Sequence, residues 1–271
     1  MAVKLVSDPE VVLLSRPVME INGLNKFLKD HNLSWEEWQK KIDSNIDLGD
    51  KDAEYLIEAC ARTCYLSFGK GRSHEEHLKN IIEVGHGSVM EHPNFTFMIW
   101  NVSRNLLAEL TRHRAGVAFS VLSQRFVDCS DTSYVIPPGI QQMKEDKPDL
   151  YEEWVQHMER SQELYVKLTE GLADTYKDIE NKTEKRKKSR QAARSVLPGA
   201  TETKIAMTLN GRSVRHICEM RGHPAADLEI RKLAVKIFKI VQKEYPMICY
   251  GMEVVKLEDE TEGIESKFRK I

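Results

Sequence analysis

RHRAGVAFSVLSQR, residues 112–125, is the stretch from which the rest of the chain is read. Arg112, His113 and Arg114 stand in a row, a small hydroxyl-bearing segment follows, and Arg125 adds a fourth cation. A guanidinium presents a planar fork of donors that matches phosphate or carboxylate oxygens two at a time. Four such groups close together repel one another unless anions lie between them. The stretch therefore reads as a site for at least one phosphorylated ligand. A second reading stands beside it. Residues 100–114 (WNVSRNLLAELTRHR) set Leu106, Leu107 and Leu110 on one helical side, and Gly116 follows where a helix could end. Cations in a last helical turn are favoured by its exposed carbonyls and the macrodipole. The sequel SVLSQRF, residues 120–126, favours the ligand site, because a helix cap needs no further hydroxyls, amide and arginine.

Upstream, residues 95–100 (FTFMIW) alternate and predict a buried strand. Before them, residues 85–92 (GHGSVMEH) gather a serine, two histidines and a glutamate around two glycines, which let backbone approach a ligand closely. A helix is expected from His74 to Glu83, ending at Gly85. Its His74 and His77, with Glu75 and Glu76, make only a weak zinc pattern, since the HExxH spacing is missing. Another helix is expected from Lys51 to Cys64. Residues 20–50 read as one or two short amphipathic helices, with Ser34 as N-cap and Glu37 at the capping-box position. Strands are expected at Val3 to Val6 and Val11 to Leu14.

Downstream, Tyr134 to Ile136 reads as a strand stopped by Pro137-Pro138-Gly139. Residues 146–190 are strongly helical, with an apolar stripe of Tyr151, Trp154, Met158, Leu164, Tyr165 and Leu168 that reads as core or subunit contact. The basic run Lys185-Arg186-Lys187-Lys188 reads as a solvated face. A helix carries Arg215, His216 and Arg221. A last helix, Ala226 to Tyr245, and a strand, Cys249 to Val255, complete the pattern. No repeat or linker interrupts it, so residues 1–271 are read as one α+β domain, an antiparallel or mixed sheet with long helices packed on it, with a helical insertion at 20–50.

The chain has 271 residues, 41% hydrophobic and 30% charged, enough for a substantial core. No apolar run approaches the roughly 20 residues of a membrane span. The N-terminus lacks the layout of a signal peptide, so the expected location is the cytoplasm. A net charge of −2 speaks against a general nucleic-acid binder. Five cysteines without a CxxC pair read as reduced thiols.

Taken together, RHR with Ser123-Gln124-Arg125, the segment ARSVLP at 193–198 and Asn210-Gly211-Arg212 followed by Arg221 resemble the signature of the flavin-dependent thymidylate synthases. Ala61-Arg62-Thr63-Cys64 resembles a family segment near the flavin, and residues 85–92 one that contributes flavin contacts. The resemblance implies reductive methylation of dUMP to dTMP. Methylenetetrahydrofolate would supply the carbon, FAD the redox mediation and NADPH the reducing equivalents, in a homotetramer with active sites between subunits. It implies that Ser88, Arg112, His113, Arg114, Val121, Asn210, Arg212 and His216 hold FAD. It implies that Glu109, Leu110, Thr111, Arg112, Val121, Leu122, Ser123, Gln124, Arg125, Arg194 and Arg221 bind dUMP. Arg221 would be the catalytic cation, and no metal, nucleic acid or membrane is implied. Two departures stand out: the loop between Arg114 and Ser123 carries one extra residue, and Ala225 replaces a histidine, with His223 nearby. Rival readings are a non-catalytic phosphate- or nucleic-acid-binding protein, and a flavin and nucleotide oxidoreductase without folate-dependent transfer.

Overall fold

A computed structural model describes residues 2–33, 38 and 51–268. In chain order its elements begin with β1 (Lys4–Val6), β2 (Glu10–Ser15), α1 (Ile21–Asp30), α2 (Asp52–Thr63) and α3 (His74–Glu83). Then come β3 (Asn94–Ser103), α4 (Arg104–Leu110), β4 (Val117–Val121), β5 (Ser133–Val135), α5 (Pro138–Asp146), α6 (Pro148–Thr175) and α7 (Lys182–Ala193). Last are β6 (Glu202–Asn210), α8 (Gly211–Gly222), α9 (Leu228–Glu244), β7 (Met252–Lys256) and β8 (Glu262–Ser266). One sheet has the order β2-β3-β6-β4, β1 pairs in parallel with β5, and β7 pairs antiparallel with β8. The fold is α+β with mixed strand pairing. Of the helices expected within 20–50, α1 is seen, while Ser34 and Glu37 lie outside the described residues.

The central stretch corrects the helical reading of residues 100–114. Phe95, Phe97 and Ile99 are buried on one face of β3, and the strand runs on through Trp100 to Ser103. Ser103 then caps α4, its Oγ accepting from Leu106 N at 3.0 Å. The helix ends at Leu110, so Arg112, His113 and Arg114 stand beyond it in a turn, not in a last helical turn. What reads as a loop after them contains β4. Three smaller corrections follow. Leu164 is 45% exposed and stands off the α6 stripe. Cys249 is buried in a turn, and the strand begins at Met252. Strands β6 and β8 add to the expected set.

The chain divides into two compact units. The first comprises Met1–Glu10, Ile99–Arg112 and Phe119–Ala206. Its core gathers Tyr134, Met158 and Ala200 in one cluster, and Cys129, Tyr165 and Ala193 in another. The polar groups there are satisfied: Tyr134 OH donates to Gln162 Oε1 at 2.7 Å, and Gln162 Nε2 donates to the Cys129 carbonyl at 2.8 Å.

The second unit comprises Val11–Met98, His113–Ala118 and Met207–Ile271. Here Phe95, buried like Phe97, meets Tyr245 just past α9 with ring centroids 5.2 Å apart, and Trp38 meets Phe68 edge-on. A charged cluster is buried beside them. Glu58 Oε1 accepts from Arg62 Nε at 2.6 Å, and its Oε2 lies 2.5 Å from His74 Nδ1. Glu54 stands 3.8 Å from His74 Nε2 and accepts from Met247 N at 2.7 Å. Burial pulls the His74 imidazole down, but the Glu54 and Glu58 carboxylates outweigh it and raise its pKa above the usual value of 6.5. Burial likewise pushes the Glu58 carboxyl up, but His74 and Arg62 outweigh it and hold it below the usual 4.5. The signs fix the pH dependence. The histidine's contribution to stability is fully present below 6.5 and is lost as pH rises through its raised pKa. The glutamate's is present above 4.5 and is lost as pH falls through its lowered one. The thermal midpoint, scanned against pH, is expected to peak between these limits. His74→Gln is expected to remove the decline on the alkaline side of pH 6.5.

Candidate functional site

In the first unit, the end of α4 and the turn after β4 carry most of the residues expected to hold the nucleotide. Leu110 is fully buried. Glu109 is half-buried, while Thr111 and Arg112 are exposed. Val121 ends β4, and Leu122 N donates to the Lys204 carbonyl at 2.9 Å. Residues 123–127 form a tight turn, in which the Ser123 carbonyl accepts from Phe126 N and Val127 N at 3.2 and 2.9 Å. Gln124 is buried. Arg125 is half-buried, and its Nε is buried without a hydrogen-bond partner. Arg190, on α7, fastens this turn by donating to the Phe126 carbonyl and to Asp128, each at 2.7 Å.

Two further arginines complete the group. Arg194 caps the C-terminus of α7 and is half-buried. Arg104, which sequence reasoning passed over, donates toward the Leu122 carbonyl at 3.3 Å and Thr203 Oγ1 at 3.4 Å. Burial, and then the positive charge of Arg194, hold the Arg104 pKa below its usual value. Neither arginine has an ion-pair partner among the described residues. Two partly desolvated like charges of this kind are relieved by a bound anion.

In the second unit, Asn210 caps α8 by accepting from Ser213 N at 2.8 Å. Ser213 Oγ donates to the Ala115 carbonyl at 2.7 Å, which ties the turn after RHR to this helix. Gly116 has φ +66°, and a Cβ there would lie 2.2 Å from Asn210 Nδ2, so only glycine closes the turn. Arg221, in the last turn of α8, donates from Nε to His113 Nε2 at 2.8 Å. An Nε2 that accepts carries its ring proton on Nδ1, so this bond selects one tautomer of His113. The His216 ring stands 5.4 Å from His113, edge to face. His113, His216 and Arg221 are thus brought together, while Arg114 is exposed on the turn.

Ser88 and Arg212 meet elsewhere in the same unit. Both line a cleft of about 740 Å³ whose walls include Gly85, His86 and Gly87. Arg212 is paired with Glu91 at 2.6 Å, both about half exposed, a pair that a ligand can displace at small cost. The remaining flavin candidates do not line this cleft: Arg112 and Val121 belong to the first unit, and His113, Arg114, Asn210 and His216 lie outside the lining.

One expectation is redirected. Arg62 is 1% exposed and spends its guanidinium on Glu58 and on the carbonyls of Ser67, Lys70 and Arg72, so its side chain is structural although it borders the cleft. Of the weak zinc pattern, three residues are engaged apart: His74 with Glu58, Glu75 with Lys79, and Glu76 in a capping box with Ser73. His223 is exposed, and its Nδ1 accepts from Ala225 N at 3.1 Å.

Comparison with known proteins gives a consistent picture. A family model described as thymidylate synthase complementing protein matches residues 47–247. The flavin-dependent thymidylate synthase of Mycobacteroides abscessus is 42% identical over 211 residues, spanning 76% of this chain and 82% of that protein. The protein of the same name from Corynebacterium diphtheriae is 38% identical over 222 residues, spanning 80% and 86%. Among solved structures, a UMP/dUMP methylase, PolB from Streptomyces cacaoi, bound with 5-Br dUMP, superposes with a TM-score of 0.61 at 19% identity. That match covers 91% of this chain and 95% of that one, and is a likeness of fold.

Proposed function

The chain belongs to the thymidylate synthase complementing protein family, and on that premise we propose that it is a flavin-dependent thymidylate synthase that methylates dUMP reductively to dTMP. FAD is the cofactor, methylenetetrahydrofolate the carbon donor and NADPH the reductant. The whole chain acts as one catalytic domain, within a cytoplasmic homotetramer whose active sites lie between subunits.

The observation that carries the substrate half is a set of two half-buried arginines, Arg104 and Arg194, with no ion-pair partner among the described residues, Arg104 lying on the Leu122 carbonyl. With Ser123, Gln124 and Arg125 it offers forks, a hydroxyl and an amide to a phosphate dianion. The segments Glu109 to Arg112 and Val121 to Leu122 frame the nucleoside. Arg221 stabilises the negative charge that develops on a uracil oxygen when carbon 5 becomes nucleophilic. Its Nε bond to His113 holds the guanidinium in place on α8.

The flavin half rests on the donor set of the second unit. Arg114 and Arg212 offer charge to a pyrophosphate, and Asn210, His113 and His216 offer polar edges. Ser88 stands on a glycine-bounded turn where backbone can come close to a ring system. These residues fit an anionic dinucleotide with a flat head. Bound FAD would supply the electron transfer that turns a one-carbon unit into a methyl group. The purified chain is therefore expected to be yellow and to bleach when NADPH is added anaerobically. A colourless chain whose binding to RNA weakens steeply with salt would support the phosphate- or nucleic-acid-binding alternative instead.

A further inference from the structure

We propose that the loop carrying Lys70 and Arg72 is an anion clamp for the tail of a co-substrate that reacts at the flavin, a role that rests on the flavin reading above. The loop follows α2 and is held from beneath. The buried Arg62 guanidinium donates to the carbonyls of Ser67, Lys70 and Arg72 at 2.9, 2.8 and 2.8 Å, and Glu58 fixes its other edge. Turning three carbonyls toward one guanidinium requires unusual backbone, and Gly69 and Gly71 supply it with φ of +72° and +76°. At Gly71 an added Cβ would meet nothing within 4 Å, so the constraint there is conformation and not space.

With its carbonyls occupied inside, the loop presents the side chains of Lys70 and Arg72 at the cleft wall, both residues exposed and neither side chain with a hydrogen bond or ion pair among the described residues. Glu76, whose carboxylate feels the Arg72 charge, is already committed to Ser73. Tyr65, 76% exposed, lines the same cleft and offers a flat face. His77 also lines it, and its Nε2 is buried without a partner. Ser88 and Arg212, which the flavin reading uses, belong to the same lining, and no flavin candidate falls on the Lys70–Arg72 loop. A molecule that must meet the flavin through this cleft therefore has cations awaiting its far end. Both reactants of that kind carry anionic tails: phosphates on a nicotinamide dinucleotide, carboxylates on a folate.

The test is the double variant Lys70→Gln, Arg72→Gln, read in three ways. Flavin binding is followed by fluorescence quenching. Anaerobic flavin bleaching is compared for NADPH and NADH, and dTMP formation for monoglutamyl and polyglutamyl folate. Losing two charge-assisted contacts is expected to lower one preference about tenfold or more. Loss of the NADPH over NADH preference identifies phosphate, and loss of the polyglutamate advantage identifies carboxylate. A matching loss of flavin affinity, or no change in either preference, overturns the clamp. If the wild-type chain takes up no flavin, it is the functional reading that fails. The clamp is then judged by calorimetric titration with inorganic pyrophosphate: weaker binding by the variant supports it, and equal binding overturns it.

Discussion

Arg221→Gln is expected to slow dTMP formation by about 100- to 1,000-fold while the chain stays folded and keeps its flavin. The residue is half-buried at the end of α8, where the helix dipole favours a cation. Its Nε bond to His113 fixes the plane of the guanidinium before any substrate arrives. In the role proposed for it, a cation pre-set in this way stabilises charge developing on the uracil ring without reorganising during the reaction. Glutamine retains a donor and loses the charge, so the cost should fall on turnover more than on dUMP binding. Lysine restores the charge without the planar fork and should recover part of the rate. Single-turnover measurements on the three proteins check this. A fall in turnover of less than about threefold in the glutamine variant would remove Arg221 from the chemical step.

Arg62→Met should be the most damaging substitution for stability, at about 3–5 kcal/mol. It would leave the Glu58 carboxylate buried without its guanidinium and strip three loop carbonyls of their donor. For a chain of this size the midpoint of thermal unfolding should fall by roughly 10 °C. Adding Glu58→Gln should return part of the loss, because the uncompensated charge is removed and the two effects are coupled. A near-zero change in melting temperature for Arg62→Met would show that the cluster contributes little to the fold.

The contrast between these two arginines shows how far the sequence could be read. Arg221 is found by its place in a motif, and the structure sets it in the last turn of the helix that Asn210 caps. Arg62 also sits in a motif-like segment, yet burial and four hydrogen bonds make it a structural post. That distinction depends on the carbonyls of a loop that folds back onto it, which no local pattern encodes. Arg104 has the opposite history. It opens a short helix with no spacing signal, and its significance comes from Arg194, which long-range packing brings near.

Secondary structure followed the same logic. The alternation of β3 and the span of α3 are local and legible, while the Ser73–Glu76 capping box that opens α3 was passed over. The RHR stretch was misread as helical because its leucines have helical spacing. The Ser103 cap that shortens the helix is a single hydroxyl, easily lost among polar neighbours. In β6, Ile205, Met207 and Leu209 alternate in plain sight, but Asn210 and Arg212 drew the reading toward chemistry. Ser88 and Arg212 line one cleft although they are far apart in sequence, a proximity that the resemblance implied and composition alone could not.

The most direct measurement is product formation by the purified chain supplied with dUMP, methylenetetrahydrofolate, NADPH and FAD, with each component omitted in turn. The account predicts dTMP in the complete mixture and none when the folate or the reductant is left out. Flavin-loaded, nucleotide-bound protein that makes no dTMP in the complete mixture would contradict it.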